Sequence, residues 1–515
     1  MRPEFRNEPF TDFKVPANAS AFKAALDEVR SQFGRTYPLW IDGREVNAKT
    51  TFDSIDPARP DVVLGRFQQG ETDHAEQAVE AAARAFATWQ HEPAEKRAAV
   101  LFAAADEMRQ RKHWFSAWLV FEVGKSWAEA DADTAEAIDF LEFYGREMLR
   151  YAAKQPLTPA AGEDNELVYI PLGVGAVIPP WNFPNAILTG MTGAALVTGN
   201  TVVLKPSSDA PVIAWHVVQL LHAAGLPNGA LNFVTGPGSS VGNRIVEHPQ
   251  VRFVAFTGSK DVGLHINQRA ATPQPGQLWI KRVVAEMGGK DSIIVDADAD
   301  LDQAADGVVA SAFGFQGQKC SACSRAIVDR RIYDEFLRKL RERAGKITVG
   351  PTDNPDNWMG PVVNASAQKK ILAYVETGRR EGKIIVGGEA VPGPGYFISP
   401  TIVADVAPDA TLSQEEIFGP VLAVIPARDW NDAIAIANNT EYGLTGAVYT
   451  RDETKIADAK RRFHVGNLYF NRKCTGALVG VHPFGGFNMS GTDSKAGGRD
   501  YLLLFLQAKT VSRRM

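Results

Sequence analysis

The stretch G-V-G-A-V-I-P-P-W-N-F-P-N-A-I-L-T-G-M-T-G-A-A-L-V-T-G-N-T-V-V-L-K-P-S-S, residues 173–208, decides the fold. It opens on an apolar run at 174–178, crosses a segment rich in small residues, and closes on a second apolar run at 201–204. Runs without polar alternation, separated by a helix, belong to a parallel sheet covered on both faces. The part from Phe183 to Leu204 approaches the length of a membrane span. Pro184, Asn185, Asn200 and three glycines within it fit a buried helix feeding a buried strand better.

Working outward, the same texture returns. Short apolar runs at 231–234 and 253–256 alternate with helical patterns at 211–224 and 240–247. The expected class is α/β, with a doubly wound parallel sheet of the dinucleotide-binding kind. A second strand series at 292–295, 326–328, 384–386, 421–425 and 446–449 predicts a second α/β domain, which contains Cys320. Upstream, Ala75, Ala78, Val79, Ala82, Phe86 and Trp89 recur at helical spacing, so a helix is predicted over 72–112. Another is predicted over 128–151, with its charges on one side. The apolar segment 501–511 reads as a strand, placed against a neighbouring subunit or at a sheet edge.

The bulk numbers exclude several classes. With 515 residues the chain can bury large cores in two or three domains. A net charge of −5 carries no electrostatic footprint for nucleic acid. Three cysteines are too few for a disulfide framework and fit a reducing compartment, and the first residues lack an apolar signal segment. The expectation is a cytoplasmic protein with no membrane partner.

One thiol carries the chemistry. Cys320 lies in G-F-Q-G-Q-K-C-S (314–321), 34 residues after Glu286 in E-M-G-G-K (286–290). A thiol is a strong nucleophile, and glycines beside Glu286 would let a carboxylate swing toward or away from it as a general base. That pairing suits formation and hydrolysis of a thioester, the route from an aldehyde to an acid. A lone cysteine is more often a small packing residue, so the weight rests on what surrounds it.

Three patterns are near misses. G-P-G-S-S-V-G (236–242) resembles a dinucleotide fingerprint whose last glycine falls one residue late. Gly124-Lys125-Ser126 resembles the end of a phosphate-binding loop, but Leu119 stands where its leading glycine belongs. Cys320-Ser-Ala-Cys323 lacks two further ligands for zinc, so Cys323 reads as packing and no metal is expected. More specific is P-P-W-N-F-P (179–184), which follows a buried strand at the sheet end where ligands bind. Asn182 there offers an amide donor for an oxyanion. Lys205 ends the next strand, where a buried ammonium needs a ligand or carboxylate. F-T-G-S-K-D-V-G (256–263) ends another strand and opens a helix at Ser259, suited to a pyrophosphate.

These segments, together with E-E-I-F-G-P (415–420) and P-F-G-G-F-x-x-S-G (483–491), occur jointly and in order, and the chain resembles the aldehyde dehydrogenase superfamily. Within it, F-N-R-K-C-T-G-A-L-V-G-V-H-P-F-G-G-F (470–487) and the opening F-R-N-E-P-F are similar to the branch acting on Δ1-pyrroline-5-carboxylate, in its stand-alone form. The resemblance implies NAD-dependent oxidation of L-glutamate γ-semialdehyde to L-glutamate in proline degradation. It implies a cofactor domain over 1–287, interrupted near 150–170 by an oligomerisation hairpin, a catalytic domain over 288–490, and a tail over 491–515 completing the oligomerisation element. A homo-oligomer built on dimers, with a hexamer as the larger assembly, is what the same likeness implies.

Residue by residue, the resemblance makes Cys320 the nucleophile, Glu286 the general base, and Asn182 with the Cys320 N–H the oxyanion hole. Lys205 would hold the adenosine ribose and Glu416 the nicotinamide ribose, with Phe418 beside the nicotinamide. Ile178, Pro179, Pro180, Trp181, Ser207, Gly238, Gly242, Phe256, Thr257, Gly258, Ser259, Val262 and Gly288 complete the cofactor set. Ser208 stands where many NAD-specific relatives carry a glutamate, so NADP is a possible second cofactor. For the substrate, Gly476 and Ala477 would offer N–H groups and Ser321 a hydroxyl to its carboxylate, Phe183 and Phe484 would flank its chain, and Glu136 would receive its ammonium. The ordinary reading of Glu136 is a solvated helix face. Two rivals remain: an aldehyde dehydrogenase for another substrate, differing only at 470–487, and a cysteine hydrolase or acyltransferase, which would need a histidine partner.

Overall fold

The computed structural model describes residues 2–515. Its first large sheet has seven strands in the order Arg282–Glu286, Val251–Thr257, Val174–Ile178, Thr201–Leu204, Leu231–Phe233, Leu39–Ile41, Arg44–Val46. The first five run parallel, in register such as Val177 beside Leu204 and Phe256 beside Ile178, and the last two are antiparallel additions. Alternate residues of each strand enter opposite apolar layers. Val177, Val202, Leu204, Phe253 and Ala255 pack into one, while Ala176, Val203, Val254 and Phe256 pack into the other. Burying each such aliphatic side chain contributes about 1.5–3 kcal/mol, and two-sided burial is why these strands carry no polar alternation.

A second seven-stranded sheet orders Lys383–Val386, Thr401–Ala404, Val421–Ala427, Arg325–Asp329, Ser292–Val295, Thr445–Tyr449 and Asn467–Phe470, parallel apart from its first strand. It too is buried on both faces, with Ile293 and Val295 on one side and Ile294 on the other. A three-stranded sheet of Arg35–Tyr37, Arg59–Gln68 and Thr51–Asp56 joins them, built from alternating segments whose periods are short and mixed.

Four expectations change. The helix predicted over 72–112 is two, Thr72–Trp89 and Ala94–Gln110, and Lys112 begins a third. Pro93 lacks an N–H and disfavours helical geometry before it, which sets the break. The segment expected as a helix over 240–247 is a π-type turn over Gly238–Gly242 followed by one α-turn, Asn243–Glu247. Near 150–170 there is no hairpin but one strand, Glu163–Pro171, whose antiparallel partner is Leu506–Arg514. Residues 501–505 are a 3₁₀ turn, because Tyr501 stacks on Tyr144 at 5.4 Å and Phe505 packs edge-on against Phe253. Among the described residues no helix is long and apolar enough to cross a membrane.

Candidate active site

The loop that carries Cys320 starts where the helix Leu301–Phe313 ends. Phe315, Gln316 and Gly317 then adopt left-handed backbone in succession, with φ of 49°, 57° and 68°. A Cβ on Gly317 would sit 2.3 Å from the Gly419 carbonyl oxygen, so only glycine fits. Gln316 Nε2 donates to the carbonyls of Gly124 (3.0 Å) and Pro361 (2.8 Å), holding the turn from outside. Cys320 follows, partly exposed, and its backbone N–H has no acceptor among the described residues. Burial pushes its thiol well above the usual range, and the carboxylates of Asp291, Glu416 and Glu286 push the same way.

Asn182 is buried after the strand Val174–Ile178 and its Nδ2 donates to the Gln318 carbonyl at 3.1 Å, two residues before Cys320. It does not itself line the cavity described below. Glu286 is the last residue of its strand, and its carboxyl accepts from the Ser494 hydroxyl and from Gly486 N–H (3.3 Å). Burial raises that carboxyl to about 8. The glycines after it are not the swing hinge expected from sequence. Neither Gly288 nor Gly289 has left-handed backbone, and a Cβ on them would meet Glu416 Oε2 at 2.3 Å and the Cys320 carbonyl at 2.5 Å. They are small so that two loops of the second sheet can close on the first.

One cavity of about 480 Å³ collects Cys320 and Glu286 with all six substrate candidates, Glu136, Phe183, Ser321, Gly476, Ala477 and Phe484. Glu136 is therefore not on a solvated face. Burial, with Asp133 nearby, raises its carboxyl to about 8. Gly476 has φ of 78°, and the N–H groups of Gly476 and Ala477 have no acceptor among the described residues. Arg472 braces that turn by donating to the carbonyls of Thr475 (2.9 Å) and Gly476 (3.1 Å).

Apart from Glu416 and Phe418, which precede the second sheet's strand Val421–Ala427, the cofactor candidates lie at the carboxyl ends of the first sheet's parallel strands. Lys205 is buried, its Nζ reaches only the Pro206 carbonyl (3.1 Å) among the described residues, and burial lowers it to about 8. A Cβ on Gly242 would lie 3.6 Å from the Lys205 stem, which places the Gly238–Gly242 turn beside it. Ser259 caps the helix Lys260–Ala271 by accepting from Val262 N–H at 3.5 Å, and Val262 is left 46% exposed. Thr257 lines the cavity next to Phe256 and Gly258, and a Cβ on Gly258 would meet the Phe256 ring at 2.5 Å. Ile178, Pro179 and Pro180 lead into Trp181, whose ring meets Phe418 edge-on at 5.5 Å. Phe418 is left-handed at φ 59°, and its neighbour Glu416 accepts from Gly289 N–H at 3.1 Å. Ser207 accepts from Asp209 N–H at 3.3 Å, while Ser208 is exposed.

Sequence reasoning missed two ion pairs at this site. Lys319 pairs with Glu129 at 2.6 Å, and both line the cavity. Lys125 pairs with Asp133 at 3.0 Å, fully buried, with its ammonium 3.8 Å from the Phe183 ring centroid. Gly124-Lys125-Ser126 is thus a helix C-cap, a buried cation and the next helix's N-cap. The signal was present in the spacing of Glu129, Asp133 and Glu136, which puts three carboxylates on one face of the helix Trp127–Ala152. Cys323, 1% exposed, packs in the second sheet's core.

Known proteins share this fold. Residues 40–511 match the aldehyde dehydrogenase family. The 1-pyrroline-5-carboxylate dehydrogenase of Geobacillus thermodenitrificans is 56% identical over 508 residues, 99% of each chain. A solved structure of 1-pyrroline-5-carboxylate dehydrogenase from Thermus with bound NAD superposes with a TM-score of 0.98 at 50% identity, covering 100% of both chains. Proline utilization A from Bdellovibrio bacteriovorus gives 0.98 at 46% identity, with this chain covering 54% of it. Likeness of this depth along nearly every residue makes the chain a member of the aldehyde dehydrogenase family.

Proposed function

We propose that this chain oxidises L-glutamate γ-semialdehyde, the open form of Δ1-pyrroline-5-carboxylate, to L-glutamate with NAD. The observation that carries the reading is the single cavity. It sets a thiol and a carboxyl beside two unpaired backbone N–H groups and the Glu136 carboxyl, which together match an aldehyde bearing a distant zwitterion. The Geobacillus and Thermus relatives carry the corresponding name, and NAD is bound in the Thermus structure. An absorbance assay at 340 nm with pyrroline-5-carboxylate and NAD tests it directly. Absence of NADH formation, with pentanal oxidised instead, would assign another aldehyde.

The cofactor site fits NAD on this chain's own features. Lys205 is a buried ammonium without a carboxylate partner, which a ribose hydroxyl pair would satisfy. The capped N-terminus of Lys260–Ala271 is suited to a pyrophosphate, and Glu416 can accept from the second ribose. Bound NAD supplies the hydride acceptor. Exposed Ser208 carries no charge to repel a 2′-phosphate, which supports some use of NADP.

The residues act in sequence. Cys320 Sγ releases its thiol proton to solvent and bonds as thiolate to the aldehyde carbon, and the developing oxyanion takes hydrogen bonds from the Cys320 N–H and the Asn182 amide. Hydride loss from that carbon leaves a thioester on Cys320. Glu286 takes a proton from water as the water's oxygen bonds to the acyl carbon, and glutamate leaves as the thiolate re-forms. Removing one oxyanion donor lowers turnover by about 10²–10³, so Asn182→Ala is expected to lose that much in kcat with thermal stability kept near wild type.

Substrate selection rests on Gly476, Ala477, Ser321 and Glu136. Ala477→Leu fills the concavity over the two N–H groups, and Ser321→Ala removes a hydroxyl. Both are expected to raise KM for the semialdehyde by about tenfold or more, since an unmet carboxylate costs about 1–3 kcal/mol. Oxidation of pentanal should change much less, and equal losses on both substrates would make these residues general site-shapers.

Assembly and domain division belong to the same proposal. Residues 1–287 hold the cofactor side and 288–490 the nucleophile side. Residues 491–515 complete the ribbon with Glu163–Pro171. That ribbon's exposed Ile170 and Val511 support a homo-oligomer built on dimers. Three free thiols support a cytoplasmic location.

A further inference from the structure

The helix Trp127–Ala152 sends five carboxylates into or beside the cavity, and their hydrogen bonding divides them. Glu129 is paired with Lys319, and Asp133 with Lys125 and the Ala186 N–H (2.7 Å). Asp131 accepts from the Thr11 hydroxyl (2.6 Å), Thr11 N–H (2.8 Å) and Lys112 (3.0 Å). Asp139 accepts from Asn7 Nδ2 (2.8 Å) and Glu8 N–H (2.7 Å). Glu136, between the last two, accepts from none of the described residues. Both flanking carboxylates are therefore satisfied by one extended segment, residues 2–13, which crosses the helix face.

The segment is fastened along its length. Arg2 binds Glu142 at 2.7 Å, Arg109 binds Glu8 at 2.7 Å, and Lys112 donates to the Pro9 carbonyl at 2.8 Å. Phe10 and Thr11 themselves line the cavity that holds Cys320. Asn7 does one thing more: the same Nδ2 that reaches Asp139 donates to the Val479 carbonyl at 3.0 Å. Val479 lies three residues after Gly476, so this amide ties the Glu136 wall to the turn that presents the Gly476 and Ala477 N–H groups. Phe5 supports the same turn, since it packs edge-on against Phe143 at 5.2 Å, and both rings lie against Gly480.

We infer that the N-terminal arm is a specificity element of this enzyme, in which Asn7 is a positioning residue that sets the spacing between Glu136 and the Gly476–Ala477 turn. The inference rests on the reading that this wall and this turn receive the substrate's ammonium and carboxylate. A tie at either end alone would be ordinary fastening of a chain end. A single amide bonded to the carboxylate one helical turn beyond Glu136 and to the carbonyl three residues beyond Gly476 is a spacer. Its loss leaves the reacting aldehyde end unaltered and loosens only the distal end.

The test uses the full chain with two substrates. Asn7→Ala is expected to raise KM for glutamate semialdehyde about tenfold with kcat within twofold, while kcat/KM for pentanal stays within about twofold. Asn7→Leu has nearly the same size but no donor and is expected to match it, which keeps the test open if the alanine variant does not fold. Equal loss on both substrates, or no change on either, overturns the inference while the activity itself stands. If the wild-type chain fails to oxidise the semialdehyde, the functional reading falls and this inference with it, an outcome visible before any variant is made.

Discussion

Cys320→Ala is expected to lower NAD-linked oxidation of the semialdehyde by at least about 10⁴, to the limit of detection at 340 nm. Loss of a covalent nucleophile costs about this much or more, since binding and oxyanion donors alone retain only a small fraction of the rate. No neighbour can stand in. Cys323 and Cys474 are 1% and 0% exposed and sit in the second sheet's core, and Ser321 is a neutral hydroxyl, a far weaker nucleophile than a thiolate. The side chain removed is small and partly exposed on a cavity, so the melting temperature should move by no more than a few degrees. Turnover near wild type in a folded variant would remove Cys320 from the mechanism.

Glu286→Gln should separate the two halves of the reaction. Loss of a positioned general base costs about 10²–10⁴, and here the cost falls on thioester hydrolysis. Stopped-flow mixing should show a burst of NADH approaching one per site, followed by a steady rate lower by that factor. The pH profile carries the sign. Burial holds the wild-type carboxyl up at about 8, so it is largely protonated and inactive as a base below that pH. Steady-state turnover should therefore climb as pH rises from 6 toward 9, and the glutamine variant should lose that limb. Glutamine can still accept from Gly486 N–H through its one amide oxygen and donate its amide N–H to the Ser494 hydroxyl, so the pocket keeps its contacts. A variant without a burst and with an unchanged pH profile would place the base elsewhere.

What was legible in the sequence follows from burial. Strands covered on both faces must be apolar throughout, so the runs at 174–178, 201–204 and 292–295 announce themselves. The strand Leu39–Ile41 and its short neighbours do not, because three-residue strands carry too few side chains to show a period. Cys320, Glu286 and the 475–477 turn were legible because each breaks its local pattern with a reactive or φ-permissive residue. The role of Glu129, Asp131 and Asp139 was hidden, since an acidic helix face facing a cavity and one facing water have the same spacing. Only the partners decide, and Thr11, Asn7 and Lys319 lie more than a hundred residues away in the chain. The glycines after Glu286 misled for a related reason: a hinge and a close approach both demand glycine, and the atom that a Cβ would strike is absent from the sequence.

The consecutive left-handed residues at Phe315 and Gln316 bear on where reactivity resides. Each costs about 1–2 kcal/mol in an L-residue, a conformation the loop would abandon by itself. What offsets it is Gln316 reaching two carbonyls, one at Gly124 in the first half of the chain and one at Pro361 in the second. The poised thiol is therefore a collective state of the folded whole and not a property of its own segment. Either half expressed apart would carry every atom of its share of the site and yet relax out of the reactive pose, so chemical competence should appear only as the last step of folding, when the halves dock.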